Sequence, residues 1–146
     1  MAIIRWDPFR DLINLHEKMN SLFEDAILPR QDLAYSGSWK PTVDIYETDD
    51  EIVVNAEIPG IDGEDISIKV GENSLIIKGE RKLEKGLREE NYHLIERNHG
   101  RFQRAFSLPV EVDHENARAV FRDGVLEIVL PKVPSSKSKT IEVKIT

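Results

Sequence analysis

Cysteine is missing altogether from this chain of 146 residues. Its absence excludes disulfide bonds, thiolate nucleophiles and zinc sites built on cysteine, and it fits a reducing compartment. Long apolar runs are lacking as well, because Arg5, Asp7, Arg10 and Asp11 interrupt the N-terminus at once. We therefore expect neither a signal peptide nor a transmembrane helix, and we expect a cytoplasmic protein with no stable membrane insertion.

Basic residues are too few to balance the acidic ones. The chain has 20 Lys and Arg against 27 Asp and Glu, which gives a net charge of -7. Nucleic-acid binding needs a basic footprint to meet the phosphates, so we expect no nucleic-acid partner.

Sequence motifs of catalysis are also lacking. We find no P-loop, no G-x-G-x-x-G after a strand, no G-x-S-x-G and no H-E-x-x-H. The acidic pairs Asp49-Asp50 and Glu89-Glu90 stand in loop-like sequence and are interpreted as solvated. His93 and His99 are six residues apart without a supporting set of ligands, and the other two histidines are His16 and His114. We therefore expect no enzyme, no metal site and no cofactor.

What the chain does have is enough length for one domain with flanking arms. Apolar residues make up 40% and charged residues 32%, which suits one modest core under a charged surface. The residue patterns change twice. They divide the chain into an N-terminal arm over residues 1–40, a domain over 41–132 and a tail over 133–146.

The N-terminal arm has a helical pattern. Asp7-Pro8 suits a helix start, Pro29 ends the pattern, and residues 30–40 indicate a linker. The apolar residues recur at spacings of three and four, which places them on one stripe of a helix: Phe9, Leu12, Ile13, Leu15, Met19, Leu22, Phe23, Ala26 and Ile27.

The middle segment changes to a period of two. Apolar residues recur at every second position over 52–58, 66–70 and 125–130, and turn residues separate these runs at short intervals. Such a pattern predicts short strands in an antiparallel β-sandwich. Asp123-Gly124 predicts a two-residue hairpin, because both residues tolerate positive φ.

One stretch of the middle segment does not fit a compact sandwich. Residues 81–91 are mostly charged, and they lead into a short apolar patch at Tyr92, Leu94 and Ile95. A long polar excursion that carries one short strand must fold back or reach another molecule.

The tail combines a tether and a strand. Residues 132–140 are mostly small and polar, which indicates a flexible tether. Ile141, Val143 and Ile145 then alternate with Glu142 and Lys144 at the end of the sequence. An isolated alternating strand has an apolar face and an unpaired edge, so it needs a docking place.

Several segments, in order, resemble the alpha-crystallin domain of small heat-shock proteins. Residues 100–109 match the signature G-x-F-x-R-x-x-x-L-P, and residues 119–126 match A-x-x-x-N-G-V-L with Asp123 in place of Asn. Ile141-Glu142-Val143 matches the I-x-I/V tail motif. Residues 41–47, 58–60 and 73–81 resemble the family's first strand, the turn that follows it and the next strand.

The resemblance implies an immunoglobulin-like antiparallel β-sandwich and an ATP-independent holdase chaperone of bacterial or archaeal type. Such a chaperone assembles into homo-oligomers built from dimers and holds partly unfolded client proteins. The N-terminal arm would supply apolar surface for assembly and for clients through Trp6, Phe9, Leu12, Ile13, Leu15, Met19, Leu22 and Phe23.

The resemblance also implies where copies meet. The segment 92–96 would cross to a partner and pair beside its residues 43–46. Ile141 and Val143 of the tail would insert into a groove on a neighbouring sandwich, with Ile68, Val70 and Val120 expected to line it. The dimer interface is then expected to include Val43, Asp44, Ile45, Tyr46, Tyr92, Leu94, Ile95 and Arg104.

Arg104 can also be interpreted from its neighbours alone. It lies in phase with Phe102 and Phe106, so it is expected to be partly buried and to need a carboxylate or carbonyl partner.

Other interpretations remain open. The N-terminal stripe could be ordinary core packing, and the tail could be a frayed terminus or an extra strand on its own sheet. The main alternative for function is a sandwich-type co-chaperone, an adaptor that binds one folded partner as a monomer or dimer. An enzyme with a diffuse acidic site has no motif to support it.

Overall fold

A computed structural model of the chain describes residues 8–28 and 39–134. Within these ranges lie one α-helix and seven β-strands. The helix α1 spans Pro8–Ile27, as the apolar spacing predicts. The strands are β1 (Val43–Glu47), β2 (Glu51–Glu57), β3 (Ile66–Val70), β4 (Ser74–Arg81), β5 (Gly100–Ser107), β6 (Arg118–Arg122) and β7 (Val125–Pro131).

The strands form two sheets, and every pairing is antiparallel. One sheet has the order β1-β2-β7-β6 and the other the order β3-β4-β5. Residues from both sheets make up one buried apolar cluster, which includes Ile52, Val54, Leu75, Ile77 and Leu130. The predicted antiparallel β-sandwich is therefore confirmed.

The period-two pattern places the core correctly, except at two positions on the outer face of the four-stranded sheet. Val53 stands in the outward phase of β2, yet it is buried. Its register neighbours are Tyr46 on β1 and Val129 on β7. These side chains lie side by side on the same face, because residues in register across a sheet point the same way, and Val129 is buried too.

The predicted hairpin between β6 and β7 is confirmed. Asp123 has φ 55° and Gly124 has φ 77°, the positive values that a two-residue turn requires. A Cβ atom on Gly124 would lie 3.0 Å from Cβ of Pro59. The turn is therefore packed against the Ile58-Pro59-Gly60 segment.

The excursion between β4 and β5 contains no strand in this single chain. Residues 92–96 are described without ladder pairing, whereas the sequence predicts a strand there. That strand was expected to pair with a second copy, so a single chain lacks the neighbour that would complete it. The crossing to a partner stays a prediction.

In the described ranges, no helix is long and apolar enough to cross a membrane.

Candidate interaction surfaces

Most of the apolar stripe of α1 is exposed. Phe9 is 76% exposed and Leu22 is 69% exposed, while Phe23 is half-buried. Trp6, expected to continue the stripe, lies outside the described residues. The remaining members of the stripe are also exposed: Leu12, Ile13, Leu15, Met19, Ala26 and Ile27.

Two polar side chains bond α1 to the domain. Glu24 is only 3% exposed, and Asn20 is half-buried. Both side chains bond to the strand β5, which is the helix's neighbour. The alternative that the stripe is ordinary core packing is therefore wrong for its exposed members.

Arg104 on β5 is the centre of this attachment. Its Nε and Nη2 donate to the two carboxylate oxygens of Glu24 at 3.3 and 3.1 Å. Its Nη1 donates to the carbonyl of Pro41 at 2.9 Å. The guanidinium carbon also lies 4.9 Å from the ring centre of Phe106. Arg104 therefore has both kinds of expected partner, the carboxylate of Glu24 and the carbonyl of Pro41.

Glu24 and Asn20 were not among the residues predicted from the sequence. A signal for them was available, because they are four residues apart and lie at the margin of the apolar stripe. Asn20 Nδ2 donates to Glu24 Oε1 at 3.1 Å, so the two act as one polar unit on the helix.

The residues expected at the dimer interface lie in three places. Val43 is half-buried against the core, while Asp44, Ile45 and Tyr46 are exposed on β1. This strand is an edge of the four-stranded sheet. Arg104 lies on the other sheet and pairs with Glu24 of its own chain, so its expected part in a dimer is not visible here.

The third place is the excursion between β4 and β5. Leu94 is 71% exposed, Ile95 is also exposed, and Tyr92 is half-buried. The Tyr92 hydroxyl accepts a hydrogen bond from the Glu84 backbone at 3.2 Å, which ties the start of the apolar patch to its own loop.

The expected groove residues do not all face the same way. Ile68 and Val70 on β3 are partly buried and pack against the core. Val120 on β6 is 56% exposed, and it faces outward because its neighbour Phe121 packs against the core. The role of Ile68, Val70 and Val120 as groove residues stays a prediction. Ile141 and Val143 lie outside the described residues.

A second arginine, Arg81 at the end of β4, is buried against Trp39. Its guanidinium carbon lies 3.9 Å from the Trp39 ring centre, and its Nη1 donates to the carbonyl of Pro59 at 2.7 Å. Burial, and then the positive charge of Arg97, lowers the pKa of Arg81 below its usual value. Trp39 in turn packs on Phe102 at 5.2 Å between ring centres. This cluster was not predicted from the sequence.

The described residues contain no group of three or more histidine, aspartate or glutamate side chains placed to hold a metal ion.

Comparison with known proteins places this geometry in a family. Residues 44–146 match the model of the Hsp20/alpha crystallin family. The chain belongs to this family. Its members are small heat-shock proteins, which are generally chaperones and not enzymes.

The matches to related proteins cover most of this chain. Small heat shock protein C2 of Rickettsia felis is 35% identical over 130 residues, which is 86% of this chain and 84% of that protein. Among solved structures, heat shock protein 16.0 of Schizosaccharomyces pombe matches with a TM-score of 0.63 at 30% identity, covering 75% of this chain and all of that one. A small heat-shock protein of Xylella fastidiosa matches with a TM-score of 0.61 at 39% identity, covering 74% and 99%.

Proposed function

We propose that the chain is an ATP-independent holdase in the cytoplasm that binds partly unfolded proteins and prevents their aggregation. It works as a dynamic homo-oligomer built from strand-exchanged dimers. The observation that carries this proposal is the exposed apolar stripe of α1, on a helix whose Asn20 and Glu24 bond to a folded sandwich.

The stripe has the chemistry that such a function needs. Partly unfolded proteins aggregate through exposed apolar surface and unpaired strand edges. A single Leu or Phe side chain contributes roughly 1.5–3 kcal/mol when it is fully buried. A stripe of several such residues can therefore compete for client surface, and it needs no nucleotide to do so.

Two segments of the chain support the dimer, because each has exposed apolar side chains and backbone groups that another strand could pair with. The strand β1 is a sheet edge with exposed Ile45 and Tyr46. Residues 92–96 carry exposed Leu94 and Ile95 and form no strand pairing within the described ranges 8–28 and 39–134. Placing the second beside the first in a partner copy would satisfy backbone groups of both and bury their apolar side chains.

Larger assembly is assigned to the tail. Ile141 and Val143 would dock beside Ile68 and Val70 of a neighbouring sandwich, where the side chains already lie against the core. Two anchors make a weak contact that exchanges, and repetition around an oligomer strengthens it. The small heat-shock protein of Xylella fastidiosa has a distinct high order structure, which supports assembly here.

The test combines solution mass with client protection. Light scattering would give the mass of the full chain, of Ile141→Ala/Val143→Ala and of the matched control Glu142→Ala/Lys144→Ala, whose changes fall on the other face of the alternating tail. Turbidity of heat-denatured citrate synthase would report holdase activity of the same three proteins.

We expect a large oligomer for the full chain and its control, dimers for the tail variant, and suppressed turbidity with the full chain. A full chain that is already a monomer or dimer and leaves turbidity unchanged would contradict the proposal and favour the adaptor alternative.

A further inference from the structure

The side chain of Asn20 occupies the outer edge of β5 in a specific pattern. Its Nδ2 donates to the carbonyl of Ala105 at 3.1 Å, and its Oδ1 accepts from the N–H of Ser107 at 3.1 Å. One carboxamide thus satisfies the outward backbone groups on both sides of Phe106.

This is the pattern of a neighbouring parallel strand. In a parallel ladder, the peptide groups of one residue bond to the carbonyl of residue i−1 and to the N–H of residue i+1 on the next strand. Here residue i is Phe106, and the Asn20 carboxamide carries the same donor and acceptor as a peptide group. The Asn20 side chain of the helix therefore makes the two hydrogen bonds with the edge of β5 that a neighbouring strand would make.

Glu24 covers the rest of this edge of β5 with its carboxylate. Its Oε2 accepts from the N–H of Ala105 at 3.2 Å, while both carboxylate oxygens face the guanidinium of Arg104. If α1 leaves, the edge loses its carboxamide, and Arg104 loses the carboxylate that compensates its charge.

We propose that the edge of β5 at Ala105–Ser107 is a docking site for an extended segment of a non-native client, which enters as α1 leaves. The segment pairs through its backbone and brings an acidic side chain to Arg104 in place of Glu24. This inference rests on the proposed holdase function. It adds that the client backbone binds at the edge of β5 and that α1 regulates access to this edge.

The charge of the edge argues against a second copy as the occupant. Two β5 strands related by a twofold axis would run antiparallel, and β5 contains two arginines and no acidic residue. Such a pairing would leave Arg104 without a carboxylate. An acidic extended segment instead replaces both groups that α1 places on the edge: its backbone replaces the carboxamide of Asn20, and its acidic side chain replaces the carboxylate of Glu24. Backbone pairing depends little on the sequence of the segment, so many different clients can bind in this way.

The first experiment locks the helix in place. The chain has no cysteine, so Asn20→Cys/Ser107→Cys introduces a single pair that can be oxidised or reduced in the full chain. We expect the oxidised form to keep its oligomer mass and to lose client capacity against heat-denatured citrate synthase by severalfold, and reduction to restore it. Each single-cysteine variant is the control. Oxidised protein with full capacity would overturn the proposal.

The disulfide lock could also lower client capacity by restricting the apolar stripe of α1, although the stripe is already exposed when the helix is docked. Hydrogen exchange separates the two effects. Asn20→Ala removes the acceptor of the Ser107 N–H and the Asn20–Glu24 hydrogen bond that helps to position the acceptor of the Ala105 N–H, so both amides should exchange faster than in the parent chain. Bound citrate synthase should slow them again, roughly tenfold or more. Client binding that leaves these amides unprotected would refute docking at the edge.

Two further outcomes are informative. Protection of these amides that rises with protein concentration in the absence of client would assign the edge to a second copy. A parent chain that fails to suppress aggregation at all would contradict the proposed function, whereas a parent chain that suppresses aggregation without any effect of the lock or any amide protection would contradict only this inference.

Discussion

Arg104 and Glu24, 80 residues apart in the chain, form a buried ion pair in which Nη2 lies 3.1 Å from Oε1. The Glu24 side chain is nearly inaccessible, and that of Arg104 is mostly covered. Because Arg104 also holds the carbonyl of Pro41, one side chain attaches both the helix and the segment before β1 to the strand β5.

Arg104→Lys should loosen this attachment although the charge is kept. A lysine ammonium cannot reproduce the planar fork that bonds both carboxylate oxygens and a carbonyl at once. Each hydrogen bond to a charged group contributes about 1.5–3 kcal/mol, so we expect faster hydrogen exchange in the last turns of α1.

The matched control is Arg101→Lys on the same strand. Arg101 is exposed, and its Nε lies 3.8 Å from a carboxylate oxygen of Glu80, an arrangement that contributes little in water. If both variants change exchange in α1 equally, Arg104 does not hold the helix.

The exposed stripe of α1 gives a second prediction. Leu15→Gln/Leu22→Gln removes apolar surface at two exposed positions and keeps helix propensity nearly unchanged. We expect suppression of client aggregation to fall severalfold, with the midpoint of thermal unfolding preserved. Asn14→Gln/Lys18→Gln changes two exposed polar positions of the same helix and should leave both readouts at parent level. Equal activity of the two double variants would contradict a role of the stripe.

The turn between β6 and β7 gives a third prediction, about stability. Gly124→Ala forces an L-residue into the left-handed region, at about 1–2 kcal/mol, and adds the contact with Pro59. Gly86→Ala is the control, because Gly86 also has positive φ, at 82°, but has open space around it. We expect the urea midpoint to fall for both and further for Gly124→Ala, at one protein concentration. Equal losses would mean that the turn can shift away from Pro59.

Much of the sandwich could be predicted because its signals are local. Alternation at Ile52, Val54 and Ala56 predicts the buried face of β2, and Asp123-Gly124 predicts its own turn. The helix boundary followed from Pro8 and the apolar spacing. In each case the residues that carry the pattern are neighbours in sequence, so no knowledge of the tertiary structure is required.

The attachment of the helix could not be predicted in the same way. Glu24 and Ala105 meet across 81 residues, and no local pattern indicates which face of α1 packs on which strand. Hydrophobicity alone even favours the wrong face, because the helix docks by its polar margin and leaves its leucines outward.

The excursion between β4 and β5 gives the last prediction, on dimers. Leu94 is exposed in the single chain, so Leu94→Ala should change the free energy of unfolding of a protomer by no more than about 0.5 kcal/mol. In a strand-exchanged dimer the same side chain is buried twice, once in each half of a symmetric interface. Losing most of a contribution of roughly 1.5–3 kcal/mol per side chain at both places should weaken dimerisation by about two orders of magnitude or more. Subunit exchange followed by native mass spectrometry measures this, with Leu87→Ala as the control, since Leu87 is also exposed but stands outside the segment 92–96. If exchange is unchanged in Leu94→Ala, or is accelerated as much in Leu87→Ala, the dimer does not form through this segment and β1 requires another partner.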